Sequence, residues 1–270
     1  MKANRFNFRT KLMVSSVFVM GLMMLFFNSE ALAEKKIKIG VLGAMKVFSG
    51  EFIWNSAVVT ADEINSKGGV DVNGVKHEIE LIKIDTNDQA SVTDAVSAME
   101  RACTTSGAHF LVGGNRTESV LAMQEVMADH KMIYIDPGSS HPNQVERVKN
   151  NYDRYKYYFR TAIMSVPDTW GHSIADTDYI GEKMKEQLGI KKLRIALILD
   201  KAKYTEDWGA FAKDCFEAMG YEVVGVWKAN YAASDLYAEA NAIKAEDPHL
   251  IYGIMAGPGE AALVPAWGKL

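Results

Sequence analysis

The chain has 270 residues and a net charge of −4 at pH 7, from 30 lysine and arginine residues against 34 aspartate and glutamate residues. An acidic chain without a basic cluster is not expected to bind nucleic acid or an anionic membrane surface. The length suffices for one large domain or for two lobes of ordinary size.

The first 33 residues have the three parts of an export signal. Basic residues precede an uncharged apolar run over 12–27, and Ala31 and Ala33 place small side chains where a signal peptidase reads them. The run has 16 residues, whereas a membrane span needs about 20. We therefore predict a signal peptide over 1–33, cleavage near Ala33 and Glu34, and a periplasmic location. An uncleaved N-terminal anchor is the alternative.

From Ile37 onward, short β-rich runs alternate with amphipathic helical stretches. The predicted strands cover 37–43, 78–85, 110–113, 132–135, 159–162, 194–199, 222–226 and 250–255. The predicted helices cover 52–67, 117–130, 169–188, 206–219, 236–244 and a last stretch from 260. One more helix, between the first two of these, is capped by Asp88 or Ser91 and ends near 106.

Strands separated by helices of this length indicate βαβ units and parallel sheets. We therefore predict an α/β fold with two doubly wound parallel-sheet lobes and a ligand cleft between them. The N-terminal lobe is expected over 34–160 and the C-terminal lobe over 161–270. In open parallel sheets a ligand lies outside the carboxyl ends of the strands. That rule points to the loops 43–52, 85–89, 113–119, 136–141, 200–206 and 255–260.

The loop 113–119 is the first candidate binding segment. Its two glycines let the backbone approach a ligand, and the following helix N-terminus presents unpaired N–H groups to an anion. Asn115 and Thr117 are the candidate contacts, although Thr117 has a second interpretation as the cap of its helix. The lysine of a phosphate-binding loop is missing, which disfavours a nucleotide.

Polar and aromatic residues near the other loops are further candidates. Ser139 and Ser140 follow Pro137-Gly138 and suit a carboxylate or ammonium group, the alternative being an ordinary turn. Trp54 and Tyr204 lie near predicted loops, where an aromatic residue serves either the core or a pocket wall.

Other chemistries lack a signature. The six histidines have no spacing that places two on one helix face, so no metal or other cofactor is predicted. Cys103 and Cys215 are expected to be free thiols on helices rather than a disulfide. No Gly-x-Ser-x-Gly or other catalytic arrangement is present, so we do not predict an enzyme.

Two segments resemble type I periplasmic binding proteins of the branched-chain amino acid group, the solute receptors of ABC importers. The first is Ile64-Asn-x-x-Gly-Gly69 followed by Asn73-Gly74, and the second is the run over 199–204 that enters a helix and continues to Val-Val-Gly225. The resemblance covers essentially all of 36–270.

The resemblance implies that two lobes close on a small-molecule ligand and that the partner is an inner-membrane ABC permease. Thr117, Ser139 and Ser140 match positions that contact the α-amino acid group of the ligand, and Tyr204 matches a tyrosine of the second lobe that closes over it. In such a site, Phe48, Phe52 and Trp54 of the first loop would supply apolar walls.

The chain departs from the family pattern at three places. Arg116 and Glu118 flank Thr117 where small or polar residues are commoner, so the ligand need not resemble leucine. The loop 255–260 lacks an aromatic residue, and the chain stops at Leu270, about a hundred residues earlier than family members, as a truncated form would. A sensory ectodomain of the same fold is the alternative function, and an exported enzyme is a weaker one.

Overall fold

A computed structural model of the protein describes residues 35–139, 141–161, 166–231, 233–255 and 259–268, with the backbone alone at 166–169 and 260. The predicted signal peptide and the candidate residue Ser140 lie outside the described residues. Within that part of the chain, no helix is both long enough and apolar enough to cross a membrane.

The described chain forms two compact units. Of the described residues, the smaller unit contains 35–37 and Val59–Glu80, and the larger contains Lys38–Val58 and those after Glu80. The predicted boundary between two lobes near residue 160 stays a prediction.

The strands that the structure describes are β1 (Lys36–Gly43), β2 (Val70–Val72), β3 (Val75–Asp85), β4 (Phe110–Gly113), β5 (Tyr134–Asp136), β6 (Tyr158–Arg160), β7 (Arg194–Asp200), β8 (Glu222–Ala229) and β9 (Leu250–Ile254). The hydrogen-bonded order is β2-β3-β1-β4-β5-β6 in one sheet and β8-β7-β9 in the other. Pairing is parallel from β1 through β4 and β5 to β6 and on both sides of β7, whereas β2 and β3 are antiparallel.

The helices are α1 (Phe48–Ser66), α2 (Val92–Thr104), α3 (Thr117–His130), α4 (Pro142–Asn150), α5 (Tyr152–Tyr155), α6 (Val166–Leu188), α7 (Lys203–Ala218), α8 (Tyr237–Ala245) and α9 (Glu260–Gly268). Helix α2 begins after Ser91, whose side chain accepts a hydrogen bond from the N–H of Asp94 at 3.1 Å. Of the two caps expected from the sequence, Ser91 is therefore the one that is used.

In the smaller unit, the Asn-Gly signal forms the predicted turn. Asn73 and Gly74 both have positive φ angles, of 53° and 82°, as a two-residue hairpin turn requires. Val72 pairs with Val75 across this turn. The side-chain amide of Asn65, in α1, exchanges two hydrogen bonds with the backbone of Ile79 at 2.8 and 2.9 Å.

Each sheet of the larger unit has its own apolar core. Leu42, Leu111 and Tyr134 from the first sheet pack with Met99 and Met123 from α2 and α3. In the second sheet, every residue of β7 after Arg194 is buried, as expected for a parallel strand that is covered on both faces. Two clusters cover those faces, one around Phe216 of α7 and one around Leu236 and Ile243 next to and within α8.

The predicted α/β fold with mostly parallel sheets is confirmed, and most element boundaries agree to within a few residues. Strand β2 and helices α4 and α5 were not predicted. Helix α4 begins at Pro142, and the Nδ1 atom of His141 accepts the N–H of Asn143 at 3.2 Å. Proline is well tolerated in the first turn of a helix, so Pro142 marks a helix start rather than irregular chain.

The two cysteines are free and half-buried on α2 and α7, as predicted. Burial raises the pKa of the Cys103 thiol to about 11, and the charge of Glu100 adds to the rise.

Gly113 ends β4 beside β1 and allows a close approach of the two backbones. A Cβ atom at this position would lie 1.9 Å from the carbonyl oxygen of Leu42, and the φ angle is +129°. We expect Gly113→Ala to lower the free energy of unfolding by about 3 kcal/mol, from backbone strain and from the clash. Urea unfolding of the purified protein measures this change.

Gly171, in α6, is the matched control. A Cβ atom there meets no atom within 4 Å, so Gly171→Ala should stabilise the helix by about 0.5–1 kcal/mol. A Gly113→Ala protein as stable as the wild type would contradict the backbone approach described here.

Candidate functional site

The loop between β4 and α3 is held in place by hydrogen bonds to a buried aspartate, Asp88. The carboxylate of Asp88 accepts the backbone N–H of Asn115 at 3.1 Å and the hydroxyl of Thr86 at 2.7 Å. The hydroxyl of Ser119 donates to the carbonyl oxygen of Asp88 at 2.6 Å. These bonds fix the first turn of α3 at the carboxyl end of β4.

Thr117 is the first residue of α3 and not its cap. The N-cap is Arg116, whose side chain makes no capping hydrogen bond. The capping interpretation of Thr117 is therefore wrong. Its side chain is buried, and together with Asn115 and Arg116 it lines a cavity.

The loop after β5 contributes Gly138 to the lining of the same cavity, whereas its Ser139 is buried in the protein. The carboxylate of Asp136 accepts the N–H groups of Gly138 and Ser139 at 3.0 and 2.9 Å and the hydroxyl of Tyr158 at 2.7 Å. Burial raises the pKa of Asp136 to about 6, although these hydrogen bonds oppose the rise. The hydroxyl of Ser139 accepts a hydrogen bond from the side chain of Gln144, and Ser139 does not line the cavity, whereas Gly138 does.

Residues that follow β7 and β8 form the opposite wall. Ala202 precedes α7, Tyr204 lies in its first turn, and Tyr231 follows β8. The ring of Tyr204 packs edge-on against Trp170 and Trp208, with centroid distances of 6.1 and 5.6 Å. Aromatic packing of this kind holds Tyr204 in one orientation at the cavity.

The cavity has a volume of about 210 Å³. Since a water molecule occupies about 30 Å³ of liquid, the space suits a small metabolite. It lies at the carboxyl ends of β4, β5, β7 and β8, as the strand-end rule predicts. The lining residues are Asn115, Arg116, Thr117, Glu118, Gly138, Ala202, Tyr204 and Tyr231.

Three of the candidate residues thus meet at one cavity, namely Asn115, Thr117 and Tyr204. Ser139 lies in the network that supports its edge. Trp54 does not line this cavity, and the ammonium group of Lys83 lies 5.2 Å from the centroid of its ring. The binding roles of all these residues remain predictions.

Glu118, in the first turn of α3, connects that turn to α7 and also pairs with Arg116, the N-cap residue. One carboxylate oxygen of Glu118 accepts the backbone N–H of Lys203, the first residue of α7, at 2.9 Å. The other accepts from Nε of Arg116 at 3.3 Å. Burial would raise the pKa of Glu118, but these donors outweigh it and hold the pKa below its usual value.

Two further contacts join loops of the first sheet, after β3 and β5, to residues that follow β8 and β7. The hydroxyl of Tyr231 donates to Oε1 of Gln89 at 3.2 Å. Nε2 of the buried His141 lies 2.7 Å from a carboxylate oxygen of Asp207, in α7, whose other oxygen accepts from Lys203 at 2.7 Å. Burial opposes ionisation of Asp207, yet both partners lower its pKa.

Tyr231 and Ala202 are the lining residues that the sequence did not single out. Tyr231 lies at the carboxyl end of β8, so the strand-end rule applied to the 226–237 connection would have found it. Among the described residues, no group of three histidine, cysteine or acidic side chains is placed to hold a metal ion.

Comparison with known proteins supports the resemblance that the sequence motifs indicate. Residues 36–269 match the sequence model of the family described as periplasmic binding protein. The chain is 28% identical over 244 residues to an amino acid binding protein of Pseudomonas aeruginosa, covering 89% of this chain and 57% of that protein. It is 27% identical over 191 residues to a Leu/Ile/Val/Thr-binding protein of Salmonella typhimurium, covering 70% and 46%.

A solved structure shares the fold. It is a solute-binding protein of an ABC transporter from Rhodopseudomonas palustris in complex with 4-hydroxybenzoate, with a TM-score of 0.66 and 19% identity, covering 87% of this chain and 58% of that one. The chain spans about half the length of the two relatives that it matches in sequence.

Replacing Glu118 by glutamine should weaken the contact with α7. We expect Glu118→Gln to lower the free energy of unfolding by about 1 kcal/mol at pH 7, because an anion near a helix N-terminus is lost. Since the folded-state pKa is lowered, the contribution of the carboxylate is present above pH 4.5 and is lost as the pH falls below that value. Thermal unfolding of both proteins across this pH range measures the difference.

Glu186→Gln is the control for this comparison. Glu186 pairs with Lys183 at 3.1 Å on the exposed surface of α6, and such a pair contributes well under about 1 kcal/mol. An equal loss in both variants, or a loss for Glu118→Gln that does not diminish as the pH falls below 4.5, would contradict the contact with the helix N-terminus.

Proposed function

Because this chain belongs to the periplasmic binding protein family, we propose that it is the solute-binding component of an ABC importer and that it binds an amino acid of the branched-chain type or a similar small polar solute. The cavity of about 210 Å³, lined by the carboxyl-end loops of both sheets, is the observation that carries this proposal.

The electrostatics of the cavity favour a ligand with a carboxylate group. Helices α3 and α7 both begin at the cavity. Their N-cap residues are Arg116 and Ala202, and neither side chain forms a capping hydrogen bond. The N–H of Lys203 already has Glu118 as its acceptor. The first turn of α3, with the hydroxyl of Thr117, is therefore the proposed carboxylate-binding position, because helix N-termini attract anions.

The apolar part of such a ligand would lie against aromatic rings. Tyr204 and Tyr231 present their rings from the second sheet, and Ala202 leaves room beside them. Binding would then require groups from the ends of both sheets. A ligand of this kind shifts the equilibrium between an open and a closed form towards the closed form, since only that form provides every contact. The closed form is what the permease would recognise.

Transport is favoured over sensing. The solved structures that share the fold include solute-binding proteins of ABC transporters, whereas the sensory ectodomain rests on no observation of this chain. We therefore do not retain the sensory alternative.

Two substitutions test the binding position. Thr117→Val removes a hydroxyl at nearly constant volume and should weaken binding about tenfold or more, the cost of a hydrogen bond to a charged group. Tyr204→Ala removes a ring and should weaken it by a similar factor. Isothermal titration calorimetry of the purified protein, with a panel of amino acids and small carboxylates, measures both effects.

Thr93→Val and Tyr179→Ala are the matched controls, because both side chains are exposed on α2 and α6. They should bind as the wild type does. Unchanged affinity in Thr117→Val and Tyr204→Ala would remove this position from the proposal, and a panel without any binding carboxylate would remove the proposed function.

Export is tested separately. If residues 1–33 form a cleaved signal, the protein recovered from the periplasm should begin at or next to Glu34, because Ala31 and Ala33 fit the peptidase. Mass spectrometry of the intact protein measures the N-terminus, and Ala33→Asp should block cleavage. Recovery of the uncleaved chain in the membrane fraction would instead support the N-terminal anchor.

A further inference from the structure

We propose that Arg116 determines the specificity of the cavity by donating hydrogen bonds to a second oxygen-bearing group of the ligand, in addition to the carboxylate at the first turn of α3. The ligand class is then a carboxylate with a polar acceptor elsewhere, such as an acidic or amide amino acid. This inference rests on the proposed function and narrows its ligand.

The guanidinium group of Arg116 is fixed on three sides. Nε donates to Glu118 at 3.3 Å, one Nη1–H donates to the carbonyl oxygen of Gln89 at 3.0 Å, and the guanidinium carbon lies 5.0 Å from the centroid of the Tyr231 ring. Tyr231 is itself held by Gln89, at 3.2 Å. A planar group held in this way loses little further freedom when it binds an acceptor.

Part of this group remains available for a ligand. An arginine has five N–H donors, and among the described residues the Nη2 nitrogen of Arg116 has no acceptor. The side chain is only 19% exposed, and Arg116 lines the cavity. Among the described residues, Nη2 is not one of the fully buried polar atoms that lack a partner, so it is accessible to a ligand. A ligand acceptor that forms a charge-assisted hydrogen bond with it gains affinity over a ligand of the same shape without an acceptor.

The pairing with Glu118 occupies only one of the nitrogen donors of Arg116. Arginine–carboxylate pairs frequently use both carboxylate oxygens in a parallel, two-bond geometry, which occupies two nitrogens of the guanidinium. Here only one oxygen of Glu118 meets Arg116, through Nε, and the other accepts the N–H of Lys203. The arrangement therefore positions the guanidinium and leaves its outer nitrogen to the cavity.

Matched ligands test this inference. Aspartate and asparagine have nearly the shape of leucine but carry oxygen acceptors, and 4-hydroxybenzoate differs from benzoate by one hydroxyl group. In at least one comparison, the wild-type protein should bind the ligand with the extra acceptor about tenfold more tightly than the ligand without it. The comparisons are aspartate or asparagine with leucine, and 4-hydroxybenzoate with benzoate. Arg116→Met, which keeps a long side chain, should remove most of this preference, and Arg116→Lys should retain only part of it.

Tyr231→Phe is the control, because it removes the hydroxyl bonded to Gln89 and keeps the ring beneath the guanidinium. It should keep the ligand preference even if its overall affinity falls. A wild-type protein that shows no preference in either pair, binding leucine and benzoate as tightly as their acceptor-bearing counterparts, overturns the inference and leaves the proposed function intact. An equal loss for both members of a pair in Arg116→Met also overturns it, since Arg116 would then be structural. Failure of every carboxylate to bind the wild type removes the proposed function itself.

Discussion

The hydrogen bond from the backbone N–H of Lys203 to the carboxylate of Glu118 is the interaction on which the candidate site depends. It brings the first turn of α3 against the first turn of α7, and the cavity lies where these two turns meet. Two helix N-termini at one place would repel each other electrostatically. The negative charge of Glu118 between them offsets that repulsion and still leaves the first turn of α3 open to an anionic ligand.

A second constraint is the position of Arg116, which donates a hydrogen bond to Glu118. Arg116 meets Glu118 through Nε, while its Nη1 nitrogen donates to the carbonyl oxygen of Gln89. Tyr231 lies against the guanidinium and is bonded to the same glutamine. These residues behave as one unit, so a change in any of them is expected to alter both ligand affinity and the contact between the ends of the two sheets.

The hydrophobic periodicity of the sequence was enough to predict most helices and strands. Buried parallel strands and amphipathic helices each have a pattern of apolar residues that can be recognised within the element itself. Strand β4 and helix α3 were predicted with their observed ends, and Asn73-Gly74 with its turn. Helix α4 was missed because a proline opens it, and β2 because three residues are too few for a pattern. Local propensity cannot distinguish a proline that starts a helix from one that interrupts a chain.

The sequence by itself determined the α/β class, the family, and the fact that Thr117 and Tyr204 follow strands at their carboxyl ends. Only the tertiary structure decided that these two residues share one cavity with Tyr231, that the hydroxyl of Ser139 is bonded to Gln144, and that Arg116 lines the cavity. The physical reason is that strand and helix patterns are read within about ten residues of chain, whereas the bond between Glu118 and Lys203 spans 85 positions. Which distant groups meet depends on how the sheets pack, and packing has no local signature.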